Sequence, residues 1–322
     1  MVKCTVKIAE AGGGQAKEIP CGDLSWKESE DSLGADFSFS CPFSPYDDEY
    51  NKLLKVGSVV VVYMGSKEIL RGIITAANFD GSYSGYDFCW YLNKSEEILQ
   101  LKKVAADKAI KDLLKKYGVP AGNIPKLATS ISKLYKDEAV SDILRDILKR
   151  VKQETGKGYR LEMNQGKLDI VEKGSIHIEP TYTDDLGSRK KITDTAEISG
   201  SRSIENLVNR VIVAGTDDSK KQIKATAEDS KSISKYGLIT QVETEDNLNE
   251  AKARNKAEKI LKENDKVTVS FTADMMGSAD VKPCRRLYFE NKAYGLKGWY
   301  KVVSCTHSIS GGIYKVSAEM EA

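Results

Sequence analysis

Near both ends of the chain, apolar residues recur at every second position in short runs. Successive side chains of a strand point to opposite faces, so a period of two marks half-buried strands and excludes helices there. Val2, Cys4, Val6 and Ile8 alternate with polar neighbours, and so do Ala35, Phe37, Phe39 and Cys41. Val59 to Tyr63 is a β-branched and aromatic run. Ile69 to Ala77 and Tyr86 to Leu92 read as further strands, separated by the turn-rich stretch Asp80 to Gly85. At the other end, Trp299 to Ile309 and Ile313 to Met320 form a hairpin turning at Ser310-Gly311-Gly312. Short, evenly spaced strands with glycine-rich turns predict small barrels or sandwiches. The closing hairpin matches the one around residues 68–90 in size, order and place at the end of a β region, which points to two related barrels.

Between these ends the period changes. Ala106, Ala109, Ile110, Leu113, Leu114 and Tyr117 share one helical face, and Gly118 and Pro120 stop that helix. Val140, Ile143, Leu144, Ile147, Leu148 and Val151 form a second apolar stripe with Gly156 as its C-terminal cap. A hairpin follows, Tyr159 to Met163 and Leu168 to Val171. From Ile176 to Ser203 the pattern is polar, with a loop at Asp184-Asp185-Leu186-Gly187. Strands are expected over Leu207 to Ala214 and Gln222 to Ala227, flanking a charged turn at Thr216 to Lys221. A short helix closes at Tyr236-Gly237, and Leu238 to Val242 reads as a strand. A helix is predicted from Asn247 to Glu263, with Asp246 as N-cap and Glu250–Arg254 and Glu258–Lys262 as favourable pairs one turn apart. Val267 to Phe271 returns to β.

A chain of 322 residues holds two or three domains. Its 40% apolar and 30% charged residues are ordinary for a soluble protein, and a formal charge of +2 gives no bulk attraction to nucleic acid or an acidic membrane. Val56 to Gly65, the longest uncharged apolar stretch, is about half the roughly twenty residues a membrane-spanning helix needs. The N-terminus alternates like a strand and has no apolar signal core, which predicts synthesis and folding in the cytoplasm. Cys4, Cys21, Cys41, Cys89, Cys284 and Cys305 include no CxxC pair and read as reduced thiols packing as small hydrophobes.

Chemistry-bearing patterns are sparse. No G-x-S-x-G elbow or catalytic cysteine signature occurs, and His177 and His307 are the only imidazoles, both in strand-like contexts. Cys305-Thr306-His307, with Cys284 as a third candidate, lacks the paired spacing of a zinc site. Gly12-Gly13-Gly14 follows a strand but precedes no GK[ST], and reads as a hairpin tip. Glu96-Glu97, Asp184-Asp185 and Asp217-Asp218 are the acid pairs, and solvated surfaces account for them. The basic segments Lys102-Lys103, Lys115-Lys116 and Arg189-Lys190-Lys191 are balanced by nearby acids. Trp26, Trp90 and Trp299 lie in strand-like runs where packing is the expected role. No catalytic, cofactor-binding or metal-ligating residue is expected.

Four segments carry a resemblance: AVSDILRDILKR (139–150), SRSIENLVNRVIVAG (201–215), SKYGLITQVETEDNLNEAKARNKAEKIL (234–261) and GWYKVVSCTHSISGGIYKVSAEME (298–321). Together they resemble the middle-domain helix, the opening strand of the second tube-like domain, the Tyr-Gly-strand-helix block and the final hairpin of contractile-tail baseplate hubs. These are hubs of the late control protein D and XkdQ-YqbQ type, distant relatives of the hub half of type VI secretion spikes. The resemblance covers most of residues 100–322. It implies an α+β, β-rich, multidomain fold with two tail-tube-like β-barrels and an α/β middle domain. The first barrel would be residues 1–98, the middle domain 99–185 plus 229–275, and the second barrel 186–228 plus 276–322. It implies a non-enzymatic subunit of a phage tail, defective prophage or R-type bacteriocin. Three copies would form a ring that joins a hexameric tail tube to a trimeric spike, contacts baseplate wedge proteins and continues the central channel, with neither a membrane nor a specific nucleic acid as partner. Such a subunit is assembled in the bacterial cytoplasm and ends in the virion or tail-like particle. The other readings are a tail module binding a host surface or glycan, and a peptidoglycan-degrading tail enzyme.

Overall fold

In the computed structural model, the strand Leu296–Ser310 runs for 15 residues and serves two neighbours. Its first part pairs antiparallel with Arg286–Asn291, from Leu296 opposite Asn291 to Lys301 opposite Arg286. Its last part pairs antiparallel with Leu24–Ser29, from Ser304 opposite Ser29 to Ile309 opposite Leu24. The two ends of the chain, separated by most of its length, thereby lie edge to edge in one sheet.

From Leu24–Ser29 the sheet continues through Asp36–Ser40, Ser82–Asp87, Lys67–Ala77, Val59–Met64 and Cys4–Ala9 to Lys17–Ile19, each pair antiparallel. On the other side Leu296–Ser310 neighbours Ile313–Glu321, its hairpin partner. Alternation decides which side chains enter the core. Val6, Ile8, Leu24, Trp26, Phe37, Phe39, Val60 and Val62 are buried together with Ile309 and Tyr314 from the C-terminal hairpin. Ile309 and Tyr314 thus pack the C-terminal hairpin against the core of the N-terminal β region. Turn glycines fit the pattern where φ is positive, as at Gly81 (φ +83) in the turn after Lys67–Ala77.

The structure describes residues 4–12, 14–42, 46, 48–216, 222–246 and 249–322. Val2, Gly13, Asp217-Asp218, most of the expected turn at 216–221 and the expected helix start at Asn247 lie outside them. Half of the chain is strand and a fifth is helix, so the expected α+β, β-rich, multidomain class holds. The chain divides into two compact units, Met1–Ile198 with Thr272–Met320, and Ser199–Phe271 with Glu321–Ala322.

A second core in the larger unit is helical. Ala106–Lys116 and Val140–Thr155 bury both stripes expected from sequence, against the ribbon Glu96–Ala105/Ser130–Ala139 and the hairpin Tyr159–Asn164/Lys167–Glu172. Gly156 caps the longer helix in the left-handed region (φ +76), and its N–H bonds the Lys152 carbonyl at 2.9 Å. The expected strand Tyr86 to Leu92 is corrected. Ser82–Asp87 is strand, and Cys89–Lys94 is helix. Asp87 causes the change: its carboxylate accepts the N–H of Cys89 at 2.9 Å and that of Ala35 at 2.7 Å, giving the first helical N–H an acceptor where the sheet ends. Leu92 joins the helical core, and Trp90 stands on a helix.

In the smaller unit Arg210–Thr216 is the central strand, antiparallel to Gln222–Glu228 and parallel to Thr240–Asp246. This sheet takes strands from both sides of residue 228. The helix Glu250–Asn264 sets Ala253 and Ala257 against Val211, Val213 and Ile223. Its N-cap is Asn249, whose side chain accepts the Lys252 N–H at 2.8 Å. Asp246 instead ends the preceding strand, which corrects the expected cap.

Candidate functional site

Inward-facing positions of the strand Leu24–Ser29 read Leu24, Trp26, Glu28, so the sheet's own alternation drives a carboxylate into the interior. Glu28 is 8% exposed. Two buried charges, Arg160 and Glu162, come from the strand Tyr159–Asn164. Lys282 and Arg285 flank a tight turn in which Cys284 takes φ +64, the left-handed region that few non-glycine residues adopt. That turn is held by Cys284 N–H on the Val302 carbonyl at 2.8 Å and by Gly174 N–H on the Cys284 carbonyl at 2.9 Å.

The five side chains form one network. Arg160 reaches Glu28 at 3.2 Å and the Pro283 carbonyl at 2.9 Å. Glu162 receives Lys282 at 3.0 Å and Arg285 at 2.8 Å, and Lys282 lies 3.9 Å from Glu28. Arg285 also donates to the Asp280 carbonyl at 2.7 Å. Beside it, Glu30 pairs with Lys173 at 2.7 Å and with Lys301. Burial alone would push the Glu28 carboxyl up, but Lys282 and then Arg160 hold it below its ordinary value. Burial likewise works against the Lys282 ammonium, and Glu28 and Glu162 outweigh it, raising its pKa. Glu28 therefore stays ionised, and none of its neighbours in the network is a nucleophile. The network's physical effect is to lock three segments far apart in sequence, because a cation deprived of its buried partner is costly.

His307 sits directly across from Trp26 in the strand register, with the rings stacked at 4.6 Å and 7°. The Val281 carbonyl accepts from Nε2 at 3.0 Å, which leaves Nδ1 to accept the Tyr314 hydroxyl at 2.8 Å. Burial lowers the imidazole pKa to about 4. Cys305 donates its thiol to the same Val281 carbonyl at 3.4 Å. Cys305, His307 and Cys284 are thus tied into backbone contacts, and among the described residues no three His, Cys, Asp or Glu side chains group as metal ligands. Asp87 is another buried titratable group, raised to about 7 by burial against its two N–H bonds. All six cysteines are free thiols.

The remaining sequence candidates stay apart. His177 meets Trp299 edge-on at 4.8 Å near the surface. Glu97 pairs with Lys116 and accepts the Tyr117 hydroxyl at 2.9 Å. Asp184 accepts the N–H groups of Leu186 and Ser188 at 3.0 and 2.7 Å, closing its own turn. Lys191 pairs with Glu179 at 3.0 Å, and Arg189 donates to Thr181 at 2.8 Å. Lys102 and Lys103 are exposed on the strand Glu96–Ala105. No helix among the described residues is long and apolar enough to cross a membrane. The buried network was missed by sequence reasoning, although the alternation of Leu24, Trp26 and Glu28 carried the signal for its first member.

A model of the YqbQ-like family matches residues 24–321. The chain is 27% identical over 276 residues to YqbQ of Bacillus subtilis strain 168, an uncharacterised protein, covering 82% of this chain and 81% of that one. It is 28% identical over 262 residues to XkdQ, a protein of the phage-like element PBSX of the same organism, covering 79% and 78%. In fold it is similar to a tail protein of Neisseria meningitidis MC58, with a TM-score of 0.63 at 16% identity over 99% of this chain and 96% of that one. It is also similar to a chain of the Francisella PdpA–VgrG complex, with a TM-score of 0.58 at 10% identity over all of this chain and 58% of that one.

Proposed function

Because the chain belongs to the YqbQ-like family, we propose that it is a structural subunit of a contractile phage tail or tail-like particle, and within it the baseplate hub. Three copies close a ring between a hexameric tail tube and a trimeric spike, contact wedge proteins from outside and continue the central channel. The subunit has no catalytic role. It is assembled in the bacterial cytoplasm and becomes part of the particle. One observation carries this reading: the strand Leu296–Ser310 joins the C-terminal β region to Leu24–Ser29 of the N-terminal one, in register and in one sheet. Two tube-like β modules linked edge to edge within each chain let three chains present six similar faces, as a hexameric tube requires. The ion network stiffens that junction, since Glu28 comes from one side of it and Lys282 and Arg285 from the other. The fold shared with a tail protein and with a chain of a PdpA–VgrG complex supports the same reading.

Co-expression with the tube and spike proteins encoded beside it, followed by mass photometry and electron microscopy, tests this. The expected product is a three-copy ring seated between the two partners. A chain that stays monomeric with both partners present overturns the hub assignment. Clearing of bacterial cell walls in a zymogram by the purified chain overturns its non-catalytic role.

A further inference from the structure

The acid pair Asp184-Asp185 was left without a role by the function above, and it belongs to a prefolded tip. The tip joins the short strands Thr181–Thr183 and Arg189–Lys191. Asp184 clamps it through the N–H groups of Leu186 and Ser188, and Gly187 supplies the positive φ of +79 that the turn needs. What the tip presents is Leu186, 91% exposed, beside the exposed carboxylate of Asp185. Because the turn is already closed by hydrogen bonds from its backbone N–H groups, seating its leucine on a partner would order little further backbone.

Elsewhere in the same compact unit is a cleft of about 310 Å³ with the opposite character. Buried Leu148 and Leu161 line it. Arg145, Lys149 and Lys152 stand on one face of the helix Val140–Thr155, at spacings of four and three residues, and line it too. Lys149 and Lys152 form no ion pair among the described residues. Arg160, 6% exposed, also lines the cleft, and its Nε is buried without an acceptor. The cleft therefore offers two leucines in its lining and two unpaired ammonium groups. The exposure of Leu186 shows that the chain's own tip does not fill it.

We propose that this cleft receives the Asp185–Leu186 tip of a second copy of the same chain, the leucine seated on Leu148 and Leu161 and the carboxylate facing Lys149 and Lys152. The inference rests on the three-copy ring proposed above and names one of its contacts. A ring with rotational symmetry needs two different, complementary patches on every copy, and a tip with a matching cleft is such a pair. Charge favours a single sense of docking. The tip carries acid at its end and base on Arg189–Lys191, while the cleft carries base on its helix and acid at exposed Asp31.

The test uses the full chain assembled with its tube and spike partners, and reads the fraction in three-copy rings by mass photometry across a dilution series. Lys149→Glu with Lys152→Glu is expected to weaken ring closure about tenfold or more, and so is Asp185→Lys alone, since each opposes like charges. Combining the three substitutions is expected to restore closure to within about threefold of the natural chain. Leu186→Ala is expected to weaken it about tenfold through lost apolar burial. A photo-crosslinker at position 186 should capture the helix Val140–Thr155 of another copy. All these positions are exposed, and unchanged circular-dichroism melts control for folding. If rings form and the charge reversals leave their stability unchanged, or the crosslink maps elsewhere, the tip-in-cleft contact is wrong while the hub reading stands. If the natural chain forms no ring with its partners, both are wrong.

Discussion

Two sets of ion pairs in this protein share their chemistry and differ in surroundings. In the larger unit, Glu28, Arg160, Glu162, Lys282 and Arg285 meet in the interior, with Glu28, Arg160 and Glu162 each under a tenth exposed. In the smaller unit, Lys256 on the helix Glu250–Asn264 lies between Glu243 and Glu245 of a neighbouring strand, at 3.8 and 2.6 Å, with all three side chains open to water. Water and salt screen the second set and barely reach the first. The difference teaches that strand register, rather than pairing itself, decides how much an ion pair matters here. The inward phase of Leu24–Ser29 commits Glu28 to the interior, and every cation that follows it inside is needed to keep it there.

The largest effect should come from breaking the interior set by one member. Glu162→Gln leaves Lys282 and Arg285 buried with one full negative charge fewer between them, and should destabilise the larger unit by about 3–5 kcal/mol. Urea unfolding followed by tryptophan fluorescence reads this directly, because Trp26, Trp90 and Trp299 all belong to that unit. A loss below about 1 kcal/mol would show that water enters the network. Replacing Glu28 with Leu and Arg160 with Met together sharpens the comparison. Removing the pair as a whole should recover much of what Arg160→Met alone loses, since no unpaired charge then remains between them.

The next effect is the pH response of the same interior. His307 is neutral in the fold, with its pKa lowered to about 4 by burial. The unfolded chain takes up a proton near 6.5 and the folded chain does not, so this residue costs stability as pH falls from about 6.5 to about 4, by roughly 3 kcal/mol in all. Asp87 acts in the opposite sense. Its folded pKa, raised to about 7 by burial, means that the folded chain holds a proton the unfolded chain has released, so its contribution is lost as pH rises from about 4 to about 7. The two slopes oppose each other in the natural chain. Replacing His307 with Gln should leave the Asp87 slope exposed, with the variant gaining stability steadily on acidification from pH 7 to pH 4.5. The imidazole itself, followed by nuclear magnetic resonance, should begin to titrate only near pH 4. A midpoint near 6.5 would mean that the Trp26 stack and the Tyr314 and Val281 contacts open in solution.

How legible all this was in the sequence depends on the range of the forces involved. The helices Ala106–Lys116 and Val140–Thr155 were readable because a stripe such as Val140, Ile143, Leu144, Ile147 and Leu148 encodes its own burial within two turns. The closing hairpin was readable because its two arms and its Ser310-Gly311-Gly312 turn are contiguous. The change from strand to helix at Cys89 was not, because it depends on Asp87 meeting the Ala35 N–H, fifty-two residues away. The ribbon partner Ser130–Ala139 escaped for a related reason: its irregular register with Glu96–Ala105 blurs the period-two pattern. Of the buried network, the inward phase of Glu28 was visible in the alternation. Its partners arrive from residues 160–162 and 282–285, and only the fold brings those together.

The helix of the smaller unit gives an intermediate effect. Asn249 replaces the expected Asp246 as N-cap and satisfies the Lys252 N–H. Asn249→Ala should cost that unit about 1 kcal/mol, whereas Asp246→Ala should cost less because the helix takes Asn249 as its N-cap. Hydrogen exchange at the Lys252 amide separates the two, and faster exchange in the Asp246 variant alone would reverse the assignment.

The smallest effect should come from the exposed set itself. Lys256→Gln removes both contacts to Glu243 and Glu245 while keeping the length of the stem and the helix propensity of the position. Ammonium and carboxylates all remain hydrated when parted, so the loss should stay within about 0–1 kcal/mol and shrink further at 0.5 M salt. Measured beside Glu162→Gln, it isolates burial as the variable, because both substitutions delete one charge that serves two opposite ones. A loss at Lys256 as large as that at Glu162, and insensitive to salt, would mean that this face of the smaller unit is covered rather than open in solution, and the contrast between the two sets would disappear.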